Sequence, residues 1–185
     1  GGQGSVVAAK ILAVAACREG LYVQAFPEFG VERRGAPVCA YLRISRGRIY
    51  ERGQIRNPDH LLILDPTLLQ LANLTEGLRE KGWLVMNSTK PPEFYNDTFG
   101  AFRTATVDAN AIALRYRLGS KFAPFVNTTM LGAFARAVPV VNLETLLQVI
   151  KETVPVKASQ NVQAAREAYQ NVKLAAEAGE VWVRH

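Results

Sequence analysis

Hydrophobic residues along this chain fall into two patterns, short apolar runs and longer stretches with helical spacing. The first stretch, residues 5–18, is apolar nearly all round, which predicts a helix that packs against a sheet. Ser5 is expected to cap this helix and Gly20 to end it. The next residues, 21–25, contain Val and Tyr and predict a short strand.

Three short apolar runs occur in the middle of the chain, at residues 60–64, 83–86 and 102–107. Their length and the turn residues around them are typical of buried strands in a parallel sheet. Helical spacing and capping residues predict several helices between and after these strands. The helices are expected at 67–80, at 108–118 with Asp108 as cap, after a loop within 127–138, at 143–152 with Asn142 as cap, and at 160–178.

The segment between the first strand and these runs is expected to form a loop and a hairpin. Residues 26–37 contain two prolines and two glycines, which interrupt regular structure. Residues 38–44 and 49–55 are predicted to be paired strands, joined by a turn at 46–48. Since such a pair is antiparallel, the sheet is expected to be mixed.

Strands that alternate with helices predict an α/β fold with helices on both faces of the sheet. We expect a three-layer α/β/α Rossmann-like domain with a mixed, mainly parallel sheet and a C-terminal helix. This domain is predicted to span residues 1–155, and a helical extension to span residues 156–185.

Composition narrows the class of protein further. The 185 residues suffice for one domain, no apolar run is long enough to span a membrane, and disorder is excluded. The net charge of +6 favours an anionic partner, although surplus surface arginine explains it equally well. Cys17 and Cys39 lie in apolar patterns, so both are predicted to be buried thiols in a reducing, cytoplasmic compartment. Because the chain lacks a C-x-x-C motif, we expect no metal cluster within it.

The chain opens on a glycine-rich turn that includes Gly2, Gln3 and Gly4. Such turns usually follow a strand and open a helix, so we expect a strand to precede Gly1. Backbone N–H groups at the start of a helix attract anions, which makes the turn a candidate binding site. A tight turn without a ligand accounts for the same residues.

The predicted loop at 26–37 combines aromatic, acidic and basic side chains. These are Phe26, Glu28, Phe29, Glu32, Arg33 and Arg34. Two adjacent arginines can hold a phosphate or carboxylate through paired hydrogen bonds. The alternative is a surface loop in which Glu32 pairs internally with an arginine.

Other polar residues give weaker signals. Asn87 follows a predicted strand, where open α/β sheets bind ligands, and Asn127 precedes a predicted helix. For each residue alone, a role as a cap or turn residue is favoured. His60 begins a strand and His185 ends the chain, so neither suggests a general base.

Four stretches of sequence together carry a resemblance to a known family. The most specific is GGQGSVVAAKILAVAACREGLYVQAFPEFGVERRGAPVCAYLRIS, followed by HLLILDPTLL, GWLVMNST and NTTMLGAFARAV. They resemble the gamma subunit of the 2-oxoacid:ferredoxin oxidoreductases, in the pyruvate/2-oxoisovalerate group. The resemblance covers residues 1 to about 155.

The resemblance implies an enzyme complex. Members of the family convert a 2-oxoacid and coenzyme A to an acyl-CoA and CO2, and pass electrons to ferredoxin. The sequence does not identify the 2-oxoacid; pyruvate is favoured over 2-oxoisovalerate, 2-oxoglutarate and aryl 2-oxoacids. Thiamine diphosphate, Mg and [4Fe-4S] clusters are implied in partner alpha, beta and delta subunits, with none of them in the gamma subunit. The gamma subunit packs beside the active site, and in some members the corresponding domain helps to hold coenzyme A.

The resemblance also suggests roles for individual residues. Arg33 and Arg34 would contact coenzyme A phosphates or order the channel that it enters, while Glu28 and Glu32 hold the arginines or pair across an interface. The remaining candidates at the same edge are Gly2, Gln3, Gly4 and Asn127 for binding, and Phe26, Phe29 and Met130 for subunit contact. Docking onto partner subunits without any ligand contact explains the motif equally well.

Two other functions stay open. A stand-alone nucleotide-binding Rossmann-like protein would need an acidic ribose ligand after the second strand, and that strand runs into Phe26 and Pro27 instead. A nucleic-acid-binding module would need an aromatic stacking platform, and the arginine-rich predicted hairpin offers only Tyr41 and Tyr50. We therefore expect neither a nucleic-acid nor a membrane partner.

Overall fold

The computed structural model describes residues 4–28, 38–71 and 73–175. The strands are β1 (Tyr22–Glu28), β2 (Cys39–Ser45), β3 (His60–Ile63), β4 (Trp83–Asn87), β5 (Arg103–Val107), β6 (Gly119–Ser120), β7 (Ala123–Pro124) and β8 (Lys173–Leu174). The helices are α1 (Ser5–Arg18), α2 (Asn96–Phe99), α3 (Ala109–Arg115), α4 (Asn127–Ala137), α5 (Leu143–Thr153) and α6 (Ala158–Asn171), with 3-10 turns at Pro66–Gln70 and Pro92–Tyr95.

The main sheet has the strand order β3-β4-β5-β8. The first three strands are parallel, and β8 joins β5 in the antiparallel direction. Every residue of β4 is buried, as expected for a central parallel strand covered on both faces. The predictions of a mixed, mainly parallel sheet and of its three central strands are confirmed.

The prediction of a hairpin at 38–55 is wrong. β2 instead pairs with the preceding strand, β1. The two strands form a separate antiparallel ribbon, in which the pairs run from Tyr22 opposite Ser45 to Glu28 opposite Cys39. The residues at 49–55 adopt no strand because most of them are exposed and provide no apolar face to bury. β1 runs on through Pro27, which an outer strand tolerates.

The start of α1 also differs from the prediction. Gly4, with φ of 84°, occupies the capping position, and no side chain caps the helix. Ser5 is the first helical residue, and its hydroxyl donates a hydrogen bond of 3.5 Å to the Val38 carbonyl. The helix packs on β1 and β2 as expected of an apolar helix, although Val6 and Val7 remain exposed.

The helix predicted at 67–80 is absent. A 3-10 turn at Pro66–Gln70 is followed by turns at 73–77. Asp65 holds the first turn by accepting hydrogen bonds from the Thr67 backbone and hydroxyl groups, at 2.9 and 2.7 Å. Gly77 has a φ of 76°, and a Cβ there would lie 2.1 Å from the Arg56 carbonyl oxygen. Helical spacing alone could not reveal this close backbone approach.

The later helices, α3 to α6, contribute residues to one shared hydrophobic core. The caps predicted at Asp108 and Asn142 are confirmed, since their side chains accept hydrogen bonds from Ala111 and Glu144 N–H. α4 begins directly at Asn127, without the predicted leading loop. α6 ends at Asn171 rather than at 178, and places three fully buried alanines against the core. Helix α6 thus packs in the same hydrophobic core as α4 and α5.

Ion pairs between helices account for part of the arginine content. Arg166 on α6 binds Glu144 on α5 through two hydrogen bonds, at 2.9 and 3.1 Å, and thereby lowers the pKa of the Glu144 carboxyl group. Arg18 on α1 donates one hydrogen bond to Glu152 on α5 and likewise lowers the pKa of that carboxyl group. Such exposed pairs contribute little to stability individually, typically about 0–1 kcal/mol.

The prediction that both cysteines are buried is wrong. Cys17 lies on the solvent side of α1, and Cys39 begins β2 at an exposed position. The prediction for Cys17 relied on the apolar residues around it. The buried face of α1, however, is formed by alanines together with Ile11 and Leu12, and it does not include Cys17. No helix in the described ranges is both long and apolar enough to cross a lipid bilayer.

His60 has a structural role at the start of β3. Its Nδ1 atom accepts a hydrogen bond of 3.1 Å from the Trp83 backbone N–H, which ties β3 to β4. Its Nε2 atom is buried and finds no hydrogen-bond partner among the residues that the structure describes. Burial lowers the pKa of the imidazole, more than the nearby Asp59 carboxylate raises it.

Stability is therefore expected to fall as the pH drops through about 6.5, where an unfolded histidine takes up a proton that folded His60 resists. His60→Asn keeps an acceptor near the Nδ1 position and removes the titration. The unfolding temperature of this variant should depend less on pH than that of the unaltered chain between about pH 7 and 5. Ordinary carboxylates titrate below this range. Equal pH dependence in the two proteins would contradict the assignment.

Candidate functional site

Two helices begin side by side at Gly4 and Asn127. A Cβ on Gly4 would lie 2.6 Å from the Asn127 Nδ2 atom, so the backbone at Gly4 packs directly against that side chain. Gly4 also needs glycine for its left-handed conformation. We call this contact, with the first turns of α1 and α4, the Gly4–Asn127 junction.

The junction has the electrostatics of an anion site. The hydrogen bond from Ala8 N–H to the Gly4 carbonyl, at 2.9 Å, opens α1, and the bond from Met130 N–H to the Val126 carbonyl, at 2.8 Å, opens α4. The backbone N–H groups that precede Ala8 on α1 and Met130 on α4 lie at the positive end of each helix dipole. Asn127 Oδ1 accepts a hydrogen bond of 2.9 Å from Thr128 N–H. Two positive helix ends in contact favour negative charge more than one alone.

Val38, the first described residue after the predicted loop, is hydrogen-bonded to the start of α1 at this junction. Its carbonyl receives the hydrogen bond from Ser5. In the sequence, Arg34 and Arg33 precede Val38 by four and five residues.

Arg43, which lies opposite Gln24, organises the β1–β2 ribbon. Its guanidinium donates hydrogen bonds to Gln24 Oε1 at 2.7 Å and to the Gly53 carbonyl at 2.9 Å. It also lies 5.5 Å from the centre of the Phe26 ring, and this ring is tilted against the Tyr41 ring with 5.4 Å between their centres. One side chain thus fixes the ribbon, Phe26 and the exposed segment 46–56 together.

Replacing Arg43 with Met is expected to release the segment 46–56 from the ribbon. The segment forms no strand or helix of its own, and Arg43 is the described residue that bonds to its Gly53 carbonyl. Trypsin should then cleave after Arg48 or Arg52 about 3–10 times faster, as expected for the loss of roughly 1 kcal/mol of local stability. Arg46→Met, at an exposed position, is the matched control; equal rates in the two variants would refute this role.

The predicted site residues lie at different places in the structure. Gly4 and Asn127 meet, and Phe26 lies half-buried on the ribbon. Met130 is fully buried below the junction, so the prediction that it contacts a partner subunit is not met; it packs in the core because it faces inward from α4. Glu28 ends β1. Gly2, Gln3, Phe29, Glu32, Arg33 and Arg34 lie outside the described residues.

Asn87 has a structural role at the carboxyl end of β4. Its side chain is 1% exposed and donates hydrogen bonds to the Leu64 carbonyl, at 2.9 Å, and to Asn110 Oδ1, at 3.1 Å. Its Oδ1 atom accepts from Ala109 N–H at 3.1 Å, at the start of α3. The favoured interpretation as a capping residue agrees with these contacts.

A cavity of about 470 Å³ lies beside Asn87, at the carboxyl ends of the parallel strands. Its wall includes Tyr95, whose hydroxyl is hydrogen-bonded to Ser88 at 2.7 Å, and the exposed Phe94. This cavity was not predicted from the sequence. The feature that could have indicated it is the aromatic pair Phe94 and Tyr95, which follows two prolines. Within the described ranges, no cluster of three or more His, Cys, Asp or Glu side chains has the arrangement of a metal site.

Comparison with known proteins places the chain in a family. The family model described as pyruvate ferredoxin/flavodoxin oxidoreductase matches residues 1–171. The match extends beyond residue 155, where the resemblance in the sequence was expected to end, and includes all of α6.

Individual relatives agree with the family model. The chain is 45% identical to pyruvate synthase subunit PorC of Methanothermobacter thermautotrophicus, over 94% of this chain and 92% of the relative. It is also 45% identical to the pyruvate/ketoisovalerate oxidoreductases common subunit gamma of Pyrococcus furiosus, over 94% of each chain. The crystal structure of pyruvate oxidoreductase subunit PORC from Thermotoga maritima has a TM-score of 0.77 and 37% identity, covering 95% of this chain and 93% of that one. The chain therefore belongs to the pyruvate ferredoxin/flavodoxin oxidoreductase family, as one of its gamma subunits.

Proposed function

We propose that this chain is the gamma subunit of a complex that converts pyruvate and coenzyme A to acetyl-CoA and CO2, with electrons passed to ferredoxin. The observation that supports this proposal most directly is the 45% identity to PorC-type subunits over nearly the full length of both chains. The alternative of a stand-alone nucleotide-binding protein is not favoured, because relatives aligned at this length are named as subunits of oxidoreductases.

In this proposal the redox chemistry belongs to the partner subunits. We assign thiamine diphosphate, Mg and the [4Fe-4S] clusters to alpha, beta and delta subunits, in line with the family resemblance. The composition of this chain fits that division, since two cysteines are too few for the four thiolate ligands of one such cluster. Catalysis thus requires the assembled complex.

The contribution proposed for this chain is to hold coenzyme A at the edge of the active site. Coenzyme A is strongly anionic, and its phosphates favour both arginine forks and the N–H groups at helix starts. The Gly4–Asn127 junction supplies two helix starts, and Ser5 at one of them bonds to Val38, the residue that follows the segment with Arg33 and Arg34 in the sequence. The assigned phosphate ligands are the two arginines and the backbone around Gly4.

The double variant Arg33→Ala/Arg34→Ala tests this assignment in the assembled complex. The KM for coenzyme A is expected to rise on the order of 10–100-fold, because charge-assisted hydrogen bonds to phosphate are lost. The KM for pyruvate should change little. Steady-state kinetics with each substrate varied in turn would measure both values.

A matched control is the double variant Arg46→Ala/Arg48→Ala, which removes the same charge from two exposed arginines outside the loop. It should leave the KM for coenzyme A unchanged. Equal impairment of both substrates by Arg33→Ala/Arg34→Ala, or loss of assembly, would assign the arginine pair to subunit docking instead.

A further inference from the structure

Two phenylalanines are exposed on a short hairpin between α3 and α4. The hairpin, residues 118–126, consists of β6 and β7 with Lys121 and Phe122 at its tip. Phe122 is 95% exposed and Phe125 is 63% exposed. Leaving a phenylalanine in water rather than burying it forfeits about 1.5–3 kcal/mol. We call this element the phenylalanine hairpin.

The phenylalanine hairpin is firmly held at its base. Leu118 and Val126, the residues at its two ends, are buried in the core. Between them, Gly119 pairs with Pro124 and Ser120 with Ala123, and Phe125 N–H donates to the Leu118 carbonyl at 3.1 Å. Because both ends are anchored, presenting the two rings to a partner costs little conformational entropy.

The backbone beside the hairpin is strained. Arg117 and Lys157 both have left-handed backbones, with φ of 57° and 56°, although neither is glycine. The Lys157 ammonium donates a hydrogen bond to the Arg117 carbonyl, which joins the start of α6 to the entrance of the hairpin. Conformations of this kind cost of order 1 kcal/mol or more each and are concentrated at functional positions.

Three cationic side chains lie on or beside the phenylalanine hairpin. Arg117, Lys121 and Lys157 are cationic, and the sequence contains no Asp or Glu between Asp108 and Glu144. The nearby Arg115 already pairs with Glu167 on α6. A second copy of this chain would bring like charges together at this surface, which opposes self-association through the hairpin.

We propose that the phenylalanine hairpin docks into an apolar pocket with a carboxylate rim on another subunit of the complex. Phe122 and Phe125 are the anchors buried in that pocket, and the cations at the base pair with its rim. Exposed aromatic side chains surrounded by positive charge are complementary to such a surface. The inference rests on the proposed function, because it requires that this chain has subunit partners.

The test compares complexes purified anaerobically through an affinity tag on this chain. The double variant Phe122→Ser/Phe125→Ser should retain partner subunits at least tenfold less well than the unaltered chain. The matched control is Phe94→Ser, because Phe94 is also 63% exposed but lies beside the cavity at the sheet edge. The two altered phenylalanines face solvent, so each variant chain alone should unfold at the unaltered temperature.

A second pair of variants tests the charge. Lys121→Glu should weaken retention several-fold and make it less sensitive to salt, while Lys90→Glu, on the Phe94 surface, should change neither property. Equal retention by the unaltered chain and the hairpin variants would overturn the docking assignment and leave the proposed function standing. Equal loss with Phe94→Ser would also overturn it.

Two further outcomes would overturn the docking contact. If the unaltered chain recovers no partner at all, the subunit function and the docking contact fail together. If the isolated chain is a dimer that Phe122→Ser/Phe125→Ser converts to a monomer, the hairpin binds a second copy rather than an acidic partner, and the proposal fails.

Discussion

Replacing Gly132 with alanine is expected to lower the free energy of unfolding by about 3 kcal/mol. Gly132 lies where α4 crosses α6, and a Cβ there would be 1.9 Å from the Ala165 carbonyl oxygen and 2.6 Å from its carbon. Both obstructing atoms are backbone, so no side chain can rotate away. The helices must separate, which disturbs the fully buried Ala164, Ala165 and Ala168.

Chemical denaturation of the isolated chain would measure this loss. Gly47→Ala is the matched control, because a Cβ at Gly47 would meet nothing within 4 Å and its backbone is not left-handed. That variant should differ from the unaltered chain by less than about 0.5 kcal/mol. If the two substitutions have the same effect, α4 and α6 do not pack as closely as described.

Replacing Asn87 with leucine should lower the free energy of unfolding by about 2–5 kcal/mol. Leucine has a similar volume but cannot hydrogen-bond, so the Leu64 carbonyl and the Ala109 N–H group lose their bonds to residue 87 in a buried setting. Each such group costs about 1–3 kcal/mol when left unpaired. The ends of β3 and β4 and the start of α3 would lose their common link.

The control for this variant is Asn171→Leu, at an exposed position that ends α6. It makes the same chemical change in contact with water and should alter stability by no more than about 0.5 kcal/mol. Denaturation curves for the two variants would decide the matter. An Asn87→Leu variant as stable as Asn171→Leu would refute the role of the buried amide.

The parallel strands were predictable because each is a short apolar run enclosed by turn residues. β4 is buried at every position, so its sequence carries no polar alternation that could suggest another element. The segment at 49–55 illustrates the opposite case. Its residues permit a strand locally, but β2 already finds its partner in β1, and that long-range pairing is not encoded within the segment.

The candidate site was predictable only in part. Gly4 and Asn127 are more than a hundred residues apart, and no local pattern shows that they touch; the family resemblance grouped them. Met130 belonged to the same group, but the direction in which a residue faces on α4 depends on packing against α6. The phenylalanine hairpin was missed because its two-residue strands are too short to produce an alternating pattern.

The most direct test of the gamma-subunit assignment is an anaerobic purification of this chain, in its native complex, from cells that express it. Subunit masses, iron and thiamine diphosphate would be determined, and the eluate assayed for coenzyme A-dependent dye reduction with a panel of 2-oxoacids. We expect a brown, multi-subunit complex that is active with pyruvate. A colourless single chain without such activity would contradict the assignment as a functioning gamma subunit.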